Sequence, residues 1–133
     1  MSNIKKTIKI NSSKSLATIC AKLSSEKIAS DILVLDLKEH STSPADYFVI
    51  CSTDSSNQSK AILDLILRQV KSAGVSKPRV EGEQNGEWIL IDFFDVVVHI
   101  MLTPIREYYS IEKIWENAII YQLNETTGRL NKK

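Results

Sequence analysis

Two carboxylates and one imidazole interrupt an otherwise apolar stretch in the middle of the chain. Residues 86–100 read GEWILIDFFDVVVHI, and between Trp88 and Ile100 the ionisable side chains are Asp92, Asp95 and His99. A pair of carboxylates can hold a divalent cation, and a nearby histidine can act as a general base or as a ligand. The same side chains can also recognise a basic protein. Their arrangement therefore decides between an enzyme and a binding protein.

A two-residue turn at Phe93 and Phe94 would fold this stretch into a β-hairpin, with Trp88 directly opposite His99. Seven residues would then share one face, and these are Trp88, Leu90, Asp92, Asp95, Val97, His99 and Met101. This face has an apolar centre and a charged edge, as protein-binding surfaces do. A simpler interpretation of His99 is a strand histidine that stacks on Trp88 and hydrogen-bonds locally.

The opposite face of the same hairpin is uniformly aliphatic. Its members are Ile89, Ile91, Val96, Val98 and Ile100. Residues of this kind at alternate positions are typical of a strand face that is buried, and we expect helices to cover it.

The rest of the sequence predicts one domain, since 133 residues of which 43% are hydrophobic suffice for a single core. The elements run α-β-β-α-β-β-β-α, from a helix capped near Ser13 or Ser15 to a helix over residues 111–123. This order predicts an α+β (mixed α/β) fold with a single mixed sheet and helices packed on it. We expect the domain to span residues 13–123, between basic tails at 1–12 and 124–133.

Charge is segregated along the chain although its net value is only +1. The first 25 residues and the last five hold eight of the 17 basic residues, which leaves nine basic against all 16 acidic residues, a charge of −7, in the body. An acidic body repels phosphate backbones and attracts basic proteins. The balance therefore favours a basic protein as partner over sequence-specific binding of nucleic acid, and a solvated acidic surface is the alternative.

Two cysteines, Cys20 and Cys51, form no C-x-x-C pair, so we expect reduced and buried thiols and no zinc site. The sequence has no apolar run long enough to span a bilayer and no signal-peptide segment. A soluble, cytoplasmic protein is the prediction. The Lys- and Ser-rich, acid-free first 25 residues leave an organelle transit segment as the alternative.

An enzyme would need a catalytic motif. Nucleotidyltransferases carry a Gly-Ser turn followed by a D-x-D pair, whereas this chain has Ser52, Thr53 and Asp54 at one place and Asp92 and Asp95 three positions apart at another. The four glycines form no phosphate-binding or dinucleotide-binding loop. We therefore expect no catalytic residue, no cofactor and no metal. A metal- or nucleotide-dependent enzyme that uses Asp92 and Asp95 is the alternative.

Four segments together resemble the Iojap-like ribosomal silencing factors over almost all of residues 31–118. They are DILVLDLKEHSTSPADYFVI, SSNQSKAILD, EGEQNGEWILIDFFDVVVHIM and REYYSIEKIWENA. The most specific elements are Trp88, the run from Ile91 to His99, and the segment from Arg106 to Trp115, in which Tyr109 and Glu112 stand at family spacing.

The resemblance implies a non-catalytic factor that represses translation when nutrients are limiting. Such a factor binds a basic protein on the joining face of the large ribosomal subunit and blocks docking of the small subunit. The resemblance further implies a nucleotidyltransferase-like topology without catalytic carboxylates, and a homodimer. By this analogy the partner-binding residues are those of the mixed hairpin face, namely Trp88, Leu90, Asp92, Asp95, Val97 and His99, together with Tyr109.

Three residues depart from the family pattern. Phe94 and Thr53 stand where glycine is usual, and Asn57 stands where arginine is common. A tight turn with Phe94 in it requires a positive φ at a bulky residue, which costs about 1–2 kcal/mol.

Overall fold

The computed structural model describes residues 9–115 and 117–133, which form three α-helices, one 3₁₀-helix and seven β-strands. Most of the predicted N-terminal tail, residues 1–8, lies outside the described residues. The elements are α1 Ser13–Glu26, β1 Ser30–Asp36, β2 Tyr47–Thr53, α2 Ser56–Ser72, β3 Arg79–Glu81, β4 Trp88–Asp92, β5 Val96–Leu102, α3 Thr103–Tyr109, the 3₁₀-helix Ile111–Trp115, β6 Ile119–Leu123 and β7 Leu130–Lys132.

All seven strands belong to one sheet, in the order β3-β4-β5-β2-β1-β6-β7. The pair β2 and β5 at its centre is parallel, and every other neighbouring pair is antiparallel. The parallel pairing requires a long crossover, and this crossover contains α2. The predicted α+β fold with a single mixed sheet is confirmed.

The two faces of the sheet differ in how completely helices cover them. Helices α1 and α2 pack on one face, where the aliphatic side of the β4–β5 hairpin is buried as predicted. On the other face lie the short α3 and the 3₁₀-helix, and this cover is partial. We call the second side the aromatic face and define it by Phe48, Trp88, Leu90, Val97, His99 and Met101 from the sheet with Tyr109 and Trp115 from the cover.

The hairpin turn lies one residue later than the sequence predicted. Phe93 N–H donates to Val96 O at 2.9 Å, so Phe94 and Asp95 form the turn. The predicted pairing of Trp88 with His99 is therefore wrong by two positions, since Trp88 pairs with Met101. Because side chains alternate with a period of two, a shift by two keeps every strand residue on its predicted face.

Residues 111–123 do not form the predicted helix. The 3₁₀-helix ends at Trp115, and Ile119–Leu123 forms β6, which pairs antiparallel with β1. The helical spacing of the apolar residues competes here with the strand preference of Ile119, Ile120 and Tyr121, and pairing with the edge of β1 decides in favour of the strand. Conversely, α3 was missed, although Pro104 in its first turn is a typical helix start.

The predicted C-terminal tail, residues 124–133, contains a turn and a strand. The Asn124 carboxamide oxygen accepts hydrogen bonds from the N–H groups of Thr126 and Thr127, both at 2.9 Å, and Gly128 adopts a φ of 73°. This turn returns the chain so that β7 pairs with β6. The sequence signal was the N-E-T-T-G stretch, whose Asn and Gly are typical of a hairpin loop.

The N-cap of helix α1 lies one residue before Ser13, the earlier of the two predicted caps. Ser12 is the N-cap, and its side chain accepts from Ser15 N–H in a capping box. The helix ends in a Schellman motif, in which Ile28 N–H donates to Ser25 O and Ala29 N–H donates to Ser24 O. Glycine usually occupies the position of Ile28, which here has a φ of 64° and is 78% exposed.

Replacement of Ile28 by glycine should stabilise the protein. The left-handed conformation costs a β-branched residue about 1–2 kcal/mol, and glycine removes this cost. Glycine also increases the conformational entropy of the unfolded chain, which offsets part of the stabilisation. We expect the free energy of unfolding in urea to rise by about 1 kcal/mol. Gly74→Ala is the opposite control, because Gly74 has a φ of 85° and the substitution should destabilise the protein. If Ile28→Gly is no more stable than wild type, the left-handed backbone of Ile28 is not strained and the prediction is wrong.

Candidate functional site

Aromatic rings follow one another across three neighbouring strands of the aromatic face. Trp88 on β4 lies 6.0 Å from His99 on β5, and His99 lies 4.7 Å from Phe48 on β2, measured between ring centroids. The row continues beyond the strands, because Tyr109 on α3 lies 5.0 Å from Trp88 and Trp115 lies 6.2 Å from Phe48. These distances are those of favourable aromatic pairs, each of which adds to the stability of the arrangement.

A hydrogen bond fixes the centre of this row. Trp88 Nε1–H donates to His99 Nδ1 at 3.1 Å, which requires a neutral imidazole with its proton on Nε2. His99 is only 6% exposed, and burial lowers its pKa from 6.5 to about 4. At neutral pH the ring is therefore an uncharged acceptor that orients Trp88. This is the local hydrogen bond that the simpler interpretation of His99 predicted.

The predicted partner-binding residues divide into an exposed and a buried group. Trp88 and Leu90 are half-buried and Tyr109 is 52% exposed, so these three present apolar area to solvent. Val97 and His99 are buried in the same face.

The two carboxylates lie at the tip of the hairpin, at one end of the face. Asp92 Oδ1 accepts a hydrogen bond from the Phe94 N–H at 2.8 Å, and Asp92 Oδ2 lies 3.9 Å from the Arg79 guanidinium. Both carboxylate oxygens therefore have a partner within the protein. Asp95 is exposed. Within the described residues no hydrogen bond joins either carboxylate to His99, so the three groups do not form an acid–base set.

Arg106 is the buried charged residue whose role sequence reasoning did not identify, although the family-like segment begins with it. Its guanidinium is almost fully buried and donates to Asp31 O and, at 2.9 Å, to Ser52 Oγ. The carboxylates of Asp31 and Glu112 lie 3.6 and 3.9 Å away. Arg106 thus ties α3 to the ends of β1 and β2 and to the 3₁₀-helix. The spacing of Arg106 and Glu112 was the available signal.

The residues that depart from the family pattern have distinct settings. Thr53 is buried at the end of β2, where its hydroxyl hydrogen-bonds Ser59 Oγ at 2.6 Å and its carbonyl accepts from Thr103 Oγ1 at 3.2 Å. Asn57 is exposed in the first turn of α2. Phe94 is exposed at the hairpin tip with a φ of 80°, as the turn argument predicted.

Cys20 and Cys51 are both buried and unbridged, as predicted, and burial raises the pKa of each thiol to about 12. Neither thiol can therefore act as a nucleophile at neutral pH. In the described part of the chain no helix is both long and apolar enough to cross a membrane. Residues 13–25, part of the segment that suggested a transit sequence, form α1 and pack into the core.

An α+β sheet with an apolar, aromatic face and acidic groups at its edge has the anatomy of a protein-binding domain. The family comparison agrees with this class. A family model described as "Ribosomal silencing factor during starvation" matches residues 10–133. The chain belongs to this family.

Individual proteins from bacteria and from mouse are similar to this chain. A ribosomal silencing factor of Bacillus subtilis is 39% identical over 111 residues, which cover 84% of this chain and 93% of that protein. A crystal structure of a protein from Chromobacterium violaceum superimposes with a TM-score of 0.75 at 33% identity and covers 80% of this chain and 88% of that one. A mouse protein named mitochondrial assembly of ribosomal large subunit protein 1 is 36% identical over 53% of this chain and 32% of its own length. The names of the Bacillus subtilis and mouse proteins describe a regulatory and an assembly role.

The burial of neutral His99 makes stability dependent on pH. Its pKa of about 4 in the folded state lies below the ordinary 6.5, so the unfolded chain binds the proton more readily. The contribution to stability is complete above pH 6.5 and is lost as the pH falls towards 4. Between pH 7 and pH 4, wild type should lose about 3 kcal/mol more of its unfolding free energy than His99→Asn, which cannot titrate. Urea denaturation of both proteins across this range measures the difference, and parallel curves would contradict a buried neutral His99.

Proposed function

We propose that this protein represses translation under nutrient limitation by binding the large ribosomal subunit. Its aromatic face contacts a basic protein on the joining side of that subunit, and the bound factor sterically prevents association with the small subunit. The protein does this in the cytoplasm and without catalysis. Membership in the silencing-factor family supports the link to translation, and the name of the mouse relative supports the large subunit. The family resemblance further suggests a homodimer.

The observation that carries the proposal is the presentation of Trp88. Its indole is held in one orientation by the bond to His99 and by contact with Tyr109, while part of the ring remains exposed. A rigid aromatic side chain loses little entropy on binding, and tryptophan is among the residues that most often dominate interface energies. Its π-face also attracts lysine and arginine side chains.

The charge pattern supports a cationic partner. Asp92 and Asp95 lie at the edge of the apolar area, and the body of the chain has an excess of acidic residues. Complementary charge at the rim of an interface accelerates association and selects against partners of the wrong sign. A ribosomal protein rich in Lys and Arg has this complementary charge.

Truncation of the aromatic anchor should abolish binding while the fold survives. We expect Trp88→Ala to weaken binding to free large subunits about 30-fold or more, because it removes the central aromatic contact. Gradient sedimentation of the tagged protein with separated subunits and with intact ribosomes measures this. Wild type should sediment with free large subunits only, and Trp88→Phe should retain most of the binding. Undiminished binding of Trp88→Ala, or absence of wild-type binding to large subunits, would contradict the proposal.

Reversal of charge at the hairpin tip should weaken binding to the large subunit in a salt-dependent way. Asp95→Lys replaces attraction by repulsion and should weaken binding about tenfold at low ionic strength, with a smaller loss at high ionic strength, where rim charges are screened. Asp64→Lys is the matched control, because Asp64 is exposed on α2, which covers the opposite side of the sheet. Equal effects of the two variants would indicate a general charge effect and no specific contact at Asp95.

A further inference from the structure

Phe94 combines two unfavourable features at one position. Its side chain is 80% exposed, and its backbone lies in the left-handed region with a φ of 80°. Glycine would remove both the exposed apolar area and the strain of the backbone. The side chain contributes nothing to the core that would offset these costs, since its neighbour Phe93 makes the contacts with the core from this turn. A bulky residue that is strained and also exposed points to a function outside the fold.

The backbone around Phe94 is held firmly. The Asp92 carboxylate accepts the Phe94 N–H, and Asp95 N–H donates to Phe93 O at 3.0 Å across the turn. Asp95 O accepts hydrogen bonds from the N–H groups of Asp46 and Tyr47 at 2.9 and 3.1 Å, which fasten the tip to the start of β2. The aromatic side chain therefore extends into solvent from a backbone that is held in place, so a partner would need to order only the side chain.

The surroundings of Phe94 define what it can bind. The Asp92 carboxylate bonds the backbone of Phe94 itself, and the exposed Asp95 is the next residue, so two acidic side chains lie at the turn. Phe94 also borders a groove of about 480 Å³ whose apolar walls include Leu16, Val75 and Pro78, and whose basic residues are Lys77 and Arg79. Arg79 is engaged by acidic side chains at 3.6 and 3.9 Å. A segment with an apolar side chain between lysines or arginines fits an aromatic ring in this setting.

We propose that Phe94 is a second aromatic anchor for the cationic protein of the large subunit that the aromatic face binds. This inference rests on the proposed function and extends its contact surface to the hairpin tip. Asp92 follows Trp88 and Leu90 at alternate positions of β4, so it lies on their side of the sheet, and it also lines the groove beside Phe94. The two areas therefore adjoin. Trp88 and Asp92 are separated by about 13 Å along β4, which one interface of ordinary size spans.

Ile28 provides a matched control within the same chain. It shares the positive φ, the exposure and the apolar side chain of Phe94. It lies instead at the end of α1, where its N–H completes the Schellman motif, and it has no place on the aromatic face. Replacement by glycine therefore relieves the same kind of strain at both positions, and only one of the two should matter for binding.

The experiment compares Phe94→Gly, Phe94→Tyr, Ile28→Gly and Trp88→Ala with wild type. Thermal unfolding, sedimentation of each free protein and titration of each against purified large subunits are the three measurements. Phe94→Gly and Ile28→Gly should both raise Tm by about 3–5 °C. Phe94→Gly should nevertheless bind large subunits about tenfold more weakly. Ile28→Gly and Phe94→Tyr should bind as wild type does.

The outcomes separate this inference from the proposed function. If Trp88→Ala loses binding while Phe94→Gly binds as tightly as wild type, the second anchor is refuted and the proposed function stands. If wild type does not bind large subunits, or Trp88→Ala binds unchanged, the proposed function fails and the inference fails with it. If Phe94→Gly alters only the self-association of the free protein, its partner is a second copy of this chain, which also overturns the inference.

Discussion

The hydrogen bond from the Trp88 indole to His99 is the interaction on which the candidate site depends. His99 lies on β5, a central strand with cover on both sides, where a charged imidazole would be costly to bury. Burial keeps the ring neutral, and only a neutral ring can accept the indole proton. One constraint of the sheet thus fixes the protonation state of His99, and that protonation state fixes the orientation of the half-buried Trp88 indole. The geometry of the candidate site therefore follows from the requirements of the core.

A second constraint is the burial of Arg106. Helix α3 has only seven residues, too few to be stable as an isolated helix. The guanidinium joins it to the ends of two strands, and the flanking carboxylates of Asp31 and Glu112 balance the charge that is buried. Removing one member of such a group leaves a charge uncompensated in the interior. The position of Tyr109 beside Trp88 therefore depends on the contacts of Arg106, which precedes it by three residues, about one helical turn.

Much of the fold followed from local patterns in the sequence. The alternation of side chains between Trp88 and Met101 assigned each strand residue to one face of the sheet. This assignment is correct although the predicted turn was wrong, because a shift of the strand register by two residues leaves every side chain on the same face. For residues 111–123 the local pattern was misleading. Their apolar spacing fits a helix, but Ile119–Leu123 forms a strand because it pairs with β1. The contacts of Arg106 could not be predicted, because its partners Ser52 and Asp31 lie 54 and 75 positions away in sequence. Side chains that meet through the fold leave no local signature.

The margins of the sheet have a consequence for the behaviour of the protein at high concentration. Both outermost strands, β3 and β7, are three residues long and carry charged side chains, among them Arg79, Glu81 and Lys132. An edge this short offers few unpaired backbone groups, and its charges disfavour the approach of another strand. A seven-stranded sheet could otherwise act as a template for intermolecular β-pairing. The short, charged borders of this sheet disfavour such pairing and therefore disfavour fibrillar aggregation.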